Sequence, residues 1–289
     1  MNAGLRKRMA AAIATVSAVA ALVVGGTPGV SNAATIPSLQ AFTLLPNGKT
    51  MAGFLTDQPG TLQWVKAVTG LVGDTSLIGI DFRVQNGLLY GVGDKGGVYT
   101  ITYPPTTPTV VVTKVSQLSV PLQGTNFGVD FNPAADRLRI VSDTGQNLAH
   151  NLANSQTATN TPLTTDGATT HGVSAVAYTN NDLNPTTNTT LYDINTNTDQ
   201  LLIQSPPANG LLVANGSLGA DAGPNSGFDI FSDLSAGKTI SVTGFATLLS
   251  PDGSTATFNT VNLFTGETTY IDTFPIPVSE VAVALDPNP

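Results

Sequence analysis

Gly128-Val129-Asp130-Phe131-Asn132 has close copies at Gly79-Ile80-Asp81-Phe82-Arg83 and Gly227-Phe228-Asp229-Ile230-Phe231. Looser copies are Ala175-Val176-Ala177-Tyr178 and Ala282-Val283-Ala284-Leu285-Asp286-Pro287, the last echoing Phe131-Asn132-Pro133 in its final three residues. With the residue before each Asp position as anchor (Ile80, Val129, Val176, Phe228, Val283), the intervals are 49, 47, 52 and 55 residues. Spacings this even are hard to obtain by chance, and self-similarity at such a period marks a repeat architecture.

Short alternating runs fill each interval, with no sustained 3.6-residue period, so the repeat is built of strands. After Asp81 come Leu88–Val92, Gly97–Thr102 and Thr109–Val115; after Asp130 come Arg137–Ser142, Asn147–Leu152 and a weak segment near Ala158–Leu163. After Val176 come Thr190–Ile194, Gln200–Gln204 and Leu211–Ala214; after Asp229 come Thr239–Leu249, Thr255–Phe264 and Thr268–Phe274. Asp94-Lys95-Gly96-Gly97, Asp143-Thr144-Gly145 and Asp252-Gly253 supply turns, because Asp and Gly tolerate positive φ. Four strands per unit make the blade of a propeller.

The ends are complementary. The last copy has an inner strand and nothing after it, whereas the N-terminal part has strands (Lys49–Thr56, Thr61–Val68, Leu71–Thr75) without an inner one. Joining them completes a blade and leaves no open edge. The expected fold is therefore an all-β, five-bladed β-propeller closed by strands from both termini. Six blades with one degenerate unit, or a linear β-solenoid, are the alternatives, and a solenoid gives no reason for complementary termini.

Arg6-Lys7-Arg8, an uncharged run from Met9 to Val24 and Ser31-Asn32-Ala33 have the order of a cleaved export signal. Residues 1–33 are expected to be removed, leaving 34–289 as a single domain in a secreted, extracellular or cell-wall-associated setting. The run is short for a membrane span of about 20 residues. The remaining chain carries 8 basic against 19 acidic residues, a net charge of −11. Its scattered Lys and Arg cannot neutralise a row of phosphates, which argues against nucleic acid and anionic membrane as partners. The absence of cysteine excludes thiol catalysis, Cys-ligated zinc and Fe–S clusters. A monomer is expected.

Gly124-Thr125-Asn126-Phe127-Gly128-Val129-Asp130-Phe131-Asn132-Pro133, followed by Asp136-Arg137-Leu138-Arg139-Ile140-Val141-Ser142-Asp143-Thr144-Gly145-Gln146-Asn147, resembles the bacterial family catalogued as domain of unknown function 4394. Ala177-Tyr178-Thr179-Asn180-Asn181, Thr190-Leu191-Tyr192-Asp193-Ile194 and Pro206-Pro207-Ala208-Asn209-Gly210 extend the resemblance over about residues 40–287. It implies a propeller-like repeat, and with no activity established for the family it carries no catalytic role over to this chain. The Ser/Thr/Asn-rich sequence after His150-Asn151-Leu152-Ala153-Asn154 departs from the family pattern and weakens the third unit's outer strand.

Two clusters are candidates for chemistry. Asp81, Asp130 and Asp229 occupy equivalent positions on inner strands, where symmetry would gather them around the axis. Three such carboxylates could hold Ca²⁺, which takes six to eight oxygen ligands, or supply an acid/base pair. Alternatively they bond neighbouring backbone N–H groups and fix the repeat, since Ala177 and Ala284 show that the position need not be acidic. The second cluster is Asp136, Arg137, Arg139, Asp143 and Asn147. Period two sets both arginines on one strand face, either to clamp an anionic ligand or to form an ion-pair network between blades. No cofactor other than Ca²⁺ is indicated.

Catalytic machinery is otherwise sparse. His150 and His171 lie in no metal or nucleophile motif, a distant Ser–His–Asp triad being the one arrangement left open. Glu267 and Glu280 are the only glutamates. Trp64, Tyr90, Tyr99, Tyr192 and Tyr270 are either sugar-stacking platforms or packing between blades. Gly91-Val92-Gly93 precedes no helix signal, so a nucleotide site fails. The expected function is a secreted, non-enzymatic propeller binding a carbohydrate or cell-surface component. A hydrolase using the axial aspartates and a purely structural envelope protein are the alternatives.

Overall fold

Asp94-Lys95-Gly96 reverses the chain because Gly96 adopts φ 82° and donates its N–H to the Gly93 carbonyl at 2.9 Å. Gly145 (φ 88°) and Gly253 (φ 71°) close equivalent turns onto Ser142 and Ser250. Between such turns the chain can only run as antiparallel strands, and the computed structural model, which describes residues 36–287, is all-β. The expected export signal, residues 1–33, lies outside the described residues.

The first strands are β1 (Gln40–Leu44), β2 (Thr50–Leu55) and β3 (Trp64–Thr69), then β4 (Leu77–Arg83), β5 (Leu88–Gly93), β6 (Gly97–Thr102) and β7 (Val110–Gln117). A third group holds β8 (Phe127–Asn132), β9 (Arg137–Ser142), β10 (Asn147–Asn151) and β11 (Gln156–Thr159). A small hairpin, β12 (Thr164–Thr165) and β13 (Ala168–Thr169), precedes β14 (Val173–Tyr178), β15 (Leu191–Asn195), β16 (Gln200–Gln204) and β17 (Leu212–Ser217). The last are β18 (Gly227–Ser235), β19 (Lys238–Leu249), β20 (Ala256–Val261), β21 (Thr268–Thr273) and β22 (Ala282–Val283).

Each group is an antiparallel meander whose strands pair in chain order. The N-terminal group is completed from the far end of the chain, with Ala41 opposite Val283 and Phe42 opposite Ala282. Its outer strand β3 also pairs in parallel with β7, Val68 against Val110 and Thr69 against Val111, which merges the first two groups into one eight-stranded sheet.

Burial falls from the first strand of each group to the last. All six residues of β14 are buried, whereas none of β21 is. The apolar faces meet between consecutive groups: Tyr90 and Val98 pack on Phe131 and Leu138, and Val141 packs on Val176 and Leu202. Ala177 and Ile194 pack on Phe228 and Ala246. Phe54 packs on Phe245, Phe258 and Phe274, joining the last group to the first, and Phe42 and Leu44 pack on Ile80 and Phe82. The inner strands accordingly touch in the closed order β4, β8, β14, β18, β22, β4.

Two expectations need correction. Residues 71–75 do not form a strand, because Gly70 and Gly73 take φ 96° and 84°, outside the extended range. The strand that completes the first group lies earlier, at β1. The third group's outer strand is formed despite its polar sequence, β11 pairing with β10 through Leu148–Thr159 to Asn151–Gln156.

Candidate functional site

The Gly-x-Asp repeat explains how the inner strands are held together. A Cβ on Gly128 would lie 2.7 Å from the Val176 nitrogen and 2.8 Å from the Ala175 Cα, and one on Gly227 2.6 Å from the Glu280 Cα. At Gly128 and Gly227 the neighbouring inner strand thus approaches too closely for any side chain, whereas Ala175 and Ala282 carry one at the equivalent position. The following Asp reaches to the neighbouring inner strand, whose edge N–H groups have no ladder partner. Phe131 N–H donates to Asp81 Oδ2 at 2.6 Å, Tyr178 N–H to Asp130 Oδ1 at 3.2 Å, and Val283 N–H to Asp229 Oδ2 at 2.6 Å. Asp81 and Asp229 also accept from the next residue of their own strand, Phe82 and Ile230, each at 2.6 Å.

Those bonds turn the three carboxyl groups toward one another. One oxygen from each of Asp81, Asp130 and Asp229 lies within 4.8 Å of the other two, and all three residues are buried. Burial pushes Asp81 well above the usual carboxylate range, with the charge of Asp229 adding to it. Burial, then the charges of Asp81 and Asp229, does the same to Asp130. Asp229 is raised by burial to about 6, its two N–H bonds opposing. The ion pairs among the described residues, Arg83–Asp136 and Lys114–Asp74, involve none of them. Three clustered carboxyls without a cationic side chain either retain protons or take up a cation.

The second predicted cluster does not gather in one place. Asp136 (φ 50°) accepts both Nε and Nη2 of Arg83, at 2.7 and 2.6 Å, so it links β4 to the β8–β9 turn. Arg137, at the exposed start of β9, bonds among the described residues only the carbonyls of Ala135 and Asp136. Arg139 shares its face but sits two residues deeper and is 6% exposed. Its Nη1 bonds Asn147 Oδ1 at 2.6 Å and Asn160 Oδ1 at 2.8 Å, and Nε bonds the Tyr178 hydroxyl at 3.3 Å. Asp143 stays in its turn; burial opposes its ionisation, but hydrogen bonds from Thr125 and Asn126 outweigh this and hold it below the usual range. One strand face runs from solvent to core within two residues, which separates the pair expected to clamp an anion.

His150 is buried, its ring bonded to Ser116 Oγ and Thr157 Oγ1 at 2.9 Å each, so the position an acid would take in a triad holds a threonine. His171 is exposed. Tyr90 and Tyr99 are core residues, Trp64 and Tyr192 are half-buried, and Tyr270 is exposed. Two buried acids escaped the sequence reading. Asp193 on β15 has both carboxylate oxygens unpartnered beside Arg139, and its carboxyl is raised by burial against the pull of that guanidinium. Glu280, immediately before β22, is raised by burial alone and lines a cavity of about 290 Å³.

Closed inner strands with a convergent axial carboxylate cluster define a propeller-like repeat protein. Residues 50–284 match the family described as Domain of unknown function (DUF4394), and the chain belongs to it. No curated protein matches it in sequence. Similar solved structures include hydrazine synthase of Kuenenia stuttgartiensis, at 11% identity over 71% of this chain and 52% of that one, TM-score 0.42. An auxiliary nutrient binding protein of Bacteroides ovatus matches at 10% identity over 81% and 57%, TM-score 0.44. TolB of Acinetobacter baumannii matches at 10% over 86% and 66%, TM-score 0.43. The chain thus spans about half to two thirds of the length of these solved chains. No helix among the described residues is long and apolar enough to cross a membrane.

Proposed function

We propose that this chain is an exported five-bladed propeller that holds a calcium ion on its axis and works by binding an extracellular ligand rather than by catalysis. The observation that carries the calcium site is the convergence of Asp81, Asp130 and Asp229 within 4.8 Å. Their spacing suits oxygens sharing one ion at about 2.4 Å, with waters or carbonyls completing six to eight ligands. A divalent cation there would replace shared protons and relieve the repulsion of three charges in a dry site. The five-blade count is supported by five inner strands in closed contact and by apolar packing that returns to the first group. Export is supported by Arg6-Lys7-Arg8, the apolar run after it and Ser31-Asn32-Ala33.

Burial of the cluster favours a binding role over hydrolysis. The three aspartates are 3–5% exposed, whereas a general acid or base must touch the atom it serves. Thermal unfolding in EDTA and in Ca²⁺ tests the site. A hundredfold excess over the dissociation constant stabilises by about 2.7 kcal/mol, and Asp130→Asn should abolish the rise in midpoint. Asp130 suits the test because it accepts one backbone bond where Asp81 and Asp229 accept two. Identical melts in EDTA and millimolar Ca²⁺ would leave the aspartates as fold residues and remove the calcium proposal.

A further inference from the structure

The repeat that gathers the aspartates also builds a second ring, at the end where the inner strands begin. Three residues before each anchor stand Leu77, Asn126, Val173, Asn225 and Glu280. Four of them, all but Val173, line the 290 Å³ cavity. Asp81, Asp130 and Asp229 lie four residues beyond Leu77, Asn126 and Asn225, about 13 Å at ~3.3 Å per residue, and none of the three lines the cavity. Glu280 reaches deepest of the five, its Cα beside the Gly227 position, where two inner strands come close.

The chemistry of this mouth is one-sided. Glu280 is 5% exposed, and no described group hydrogen-bonds its carboxyl. Thr43 Oγ1 donates only to the Glu280 main-chain oxygen. Asn126 uses its Nδ2 on Thr125 and Asp143, leaving its Oδ1 to the cavity, and the Asn225 amide has no partner among the described residues. Asp94 also lines the space and is ionised: burial opposes this, but bonds from Thr75 and Ser76 prevail. No Lys or Arg lines it. A buried carboxyl without a donor costs free energy that a ligand can recover. The charge of Asp94 repels an anion, and a cation beside Glu280 would draw that buried carboxyl into its charged form, so the missing component is a compact donor with positive charge. A primary ammonium has three N–H donors and no acceptor. The volume falls at the lower end of small-molecule pockets, about 300–1,000 Å³.

We propose that this cavity binds a small ligand bearing a primary ammonium, with Glu280 as its counter-ion and Asn126 and Asn225 as its hydrogen-bond acceptors. The site stands apart from the axial calcium and does not depend on it.

Calorimetric titration of the purified protein at pH 7 tests it, with two matched pairs as probes: ethanolammonium against ethylene glycol, and glucosamine against glucose. Saturable binding of at least one ammonium probe is expected, at least tenfold tighter than its neutral partner. Glu280→Gln should weaken that binding at least tenfold, Asn225→Ala several-fold, and Asp130→Asn should leave it unchanged. Binding of neither ammonium probe, equal binding of amine and neutral partner, or an unchanged affinity in folded Glu280→Gln would each overturn the proposal. If Glu280→Gln fails to fold, unchanged binding in Asn225→Ala overturns it. Loss of amine binding in Asp130→Asn would tie the effect to the axial cluster and overturn it as well.

Discussion

The carboxyl of Asp229 accepts two N–H groups, yet burial holds it near 6, about two units above an ordinary aspartate. Asp81 is raised by burial and by the charge of Asp229, and Asp130 by burial and by the charges of Asp81 and Asp229. A raised acid binds its proton more tightly folded than unfolded. The stability it contributes is therefore complete below about pH 4 and is lost as pH rises through 6. Asp94, Asp143 and Asp182 are held low by hydrogen bonds that outweigh burial, so their contribution is present above about pH 4 and lost below it. In EDTA the urea midpoint should therefore peak near pH 4–5 and fall toward pH 7. For Asp229 the loss is on the order of 3 kcal/mol. Asp229→Asn should remove its share of that fall, leaving the part due to the other raised acids, and calcium should lift the pH 7 end. A midpoint that climbs steadily from pH 4 to 7 in EDTA would contradict the account. The aspartates were visible in the sequence as a repeated position. Glu280 was visible only as one of two glutamates, because nothing local marks a carboxyl whose surroundings are five separate chain segments.

Elements were legible where turn chemistry and side-chain alternation agreed. Gly97–Thr102, Arg137–Ser142 and Gln200–Gln204 have the expected bounds, and Asp/Gly turns adjoin the first two. β1 was missed because Gln40-Ala41-Phe42-Thr43-Leu44 alternates weakly, all but Gln40 being buried between its neighbours on both sides. β11 is polar except for Ala158, and its strand state comes from pairing with β10 and from Thr157 Oγ1 on the His150 ring. The glycine preceding each Asp was recognised as a repeat, but the reason for it lies in the adjacent strand. Gly128→Ala should therefore destabilise by about 1–3 kcal/mol, read as a lower urea midpoint with an unchanged slope. The Cβ would press on main-chain atoms of Ala175 and Val176, which cannot turn aside. A midpoint within error of the parent would show that the inner strands are looser than their spacing implies.

At the scale of the molecule, the complementarity of the two ends was the most informative sequence feature, and β22 does pair with β1. That junction has two residue pairs, so its strength lies in packing. Phe54 meets Phe258 and Phe274 edge-on at 5.1 and 5.0 Å, while Val278, Val281 and Val283 are buried beside them. Each buried valine contributes about 1.5–3 kcal/mol, and small domains are stable by only about 5–15. Ending the chain after Pro277 should therefore abolish the cooperative thermal transition seen by circular dichroism and give larger species on gel filtration. A truncated protein that stays monomeric and melts sharply would refute ring closure as a determinant of stability. The geometry of the junction has a mechanical side. Ala284 N–H bonds the Gln40 carbonyl, so the chain leaves β1 and β22 at the same end of the pair. Tension between the two ends would load those bonds one after another, as in unzipping, instead of shearing them together. The ring should therefore resist heat through its aromatic seam and yield to a pull on its ends, a clasp that opens under traction.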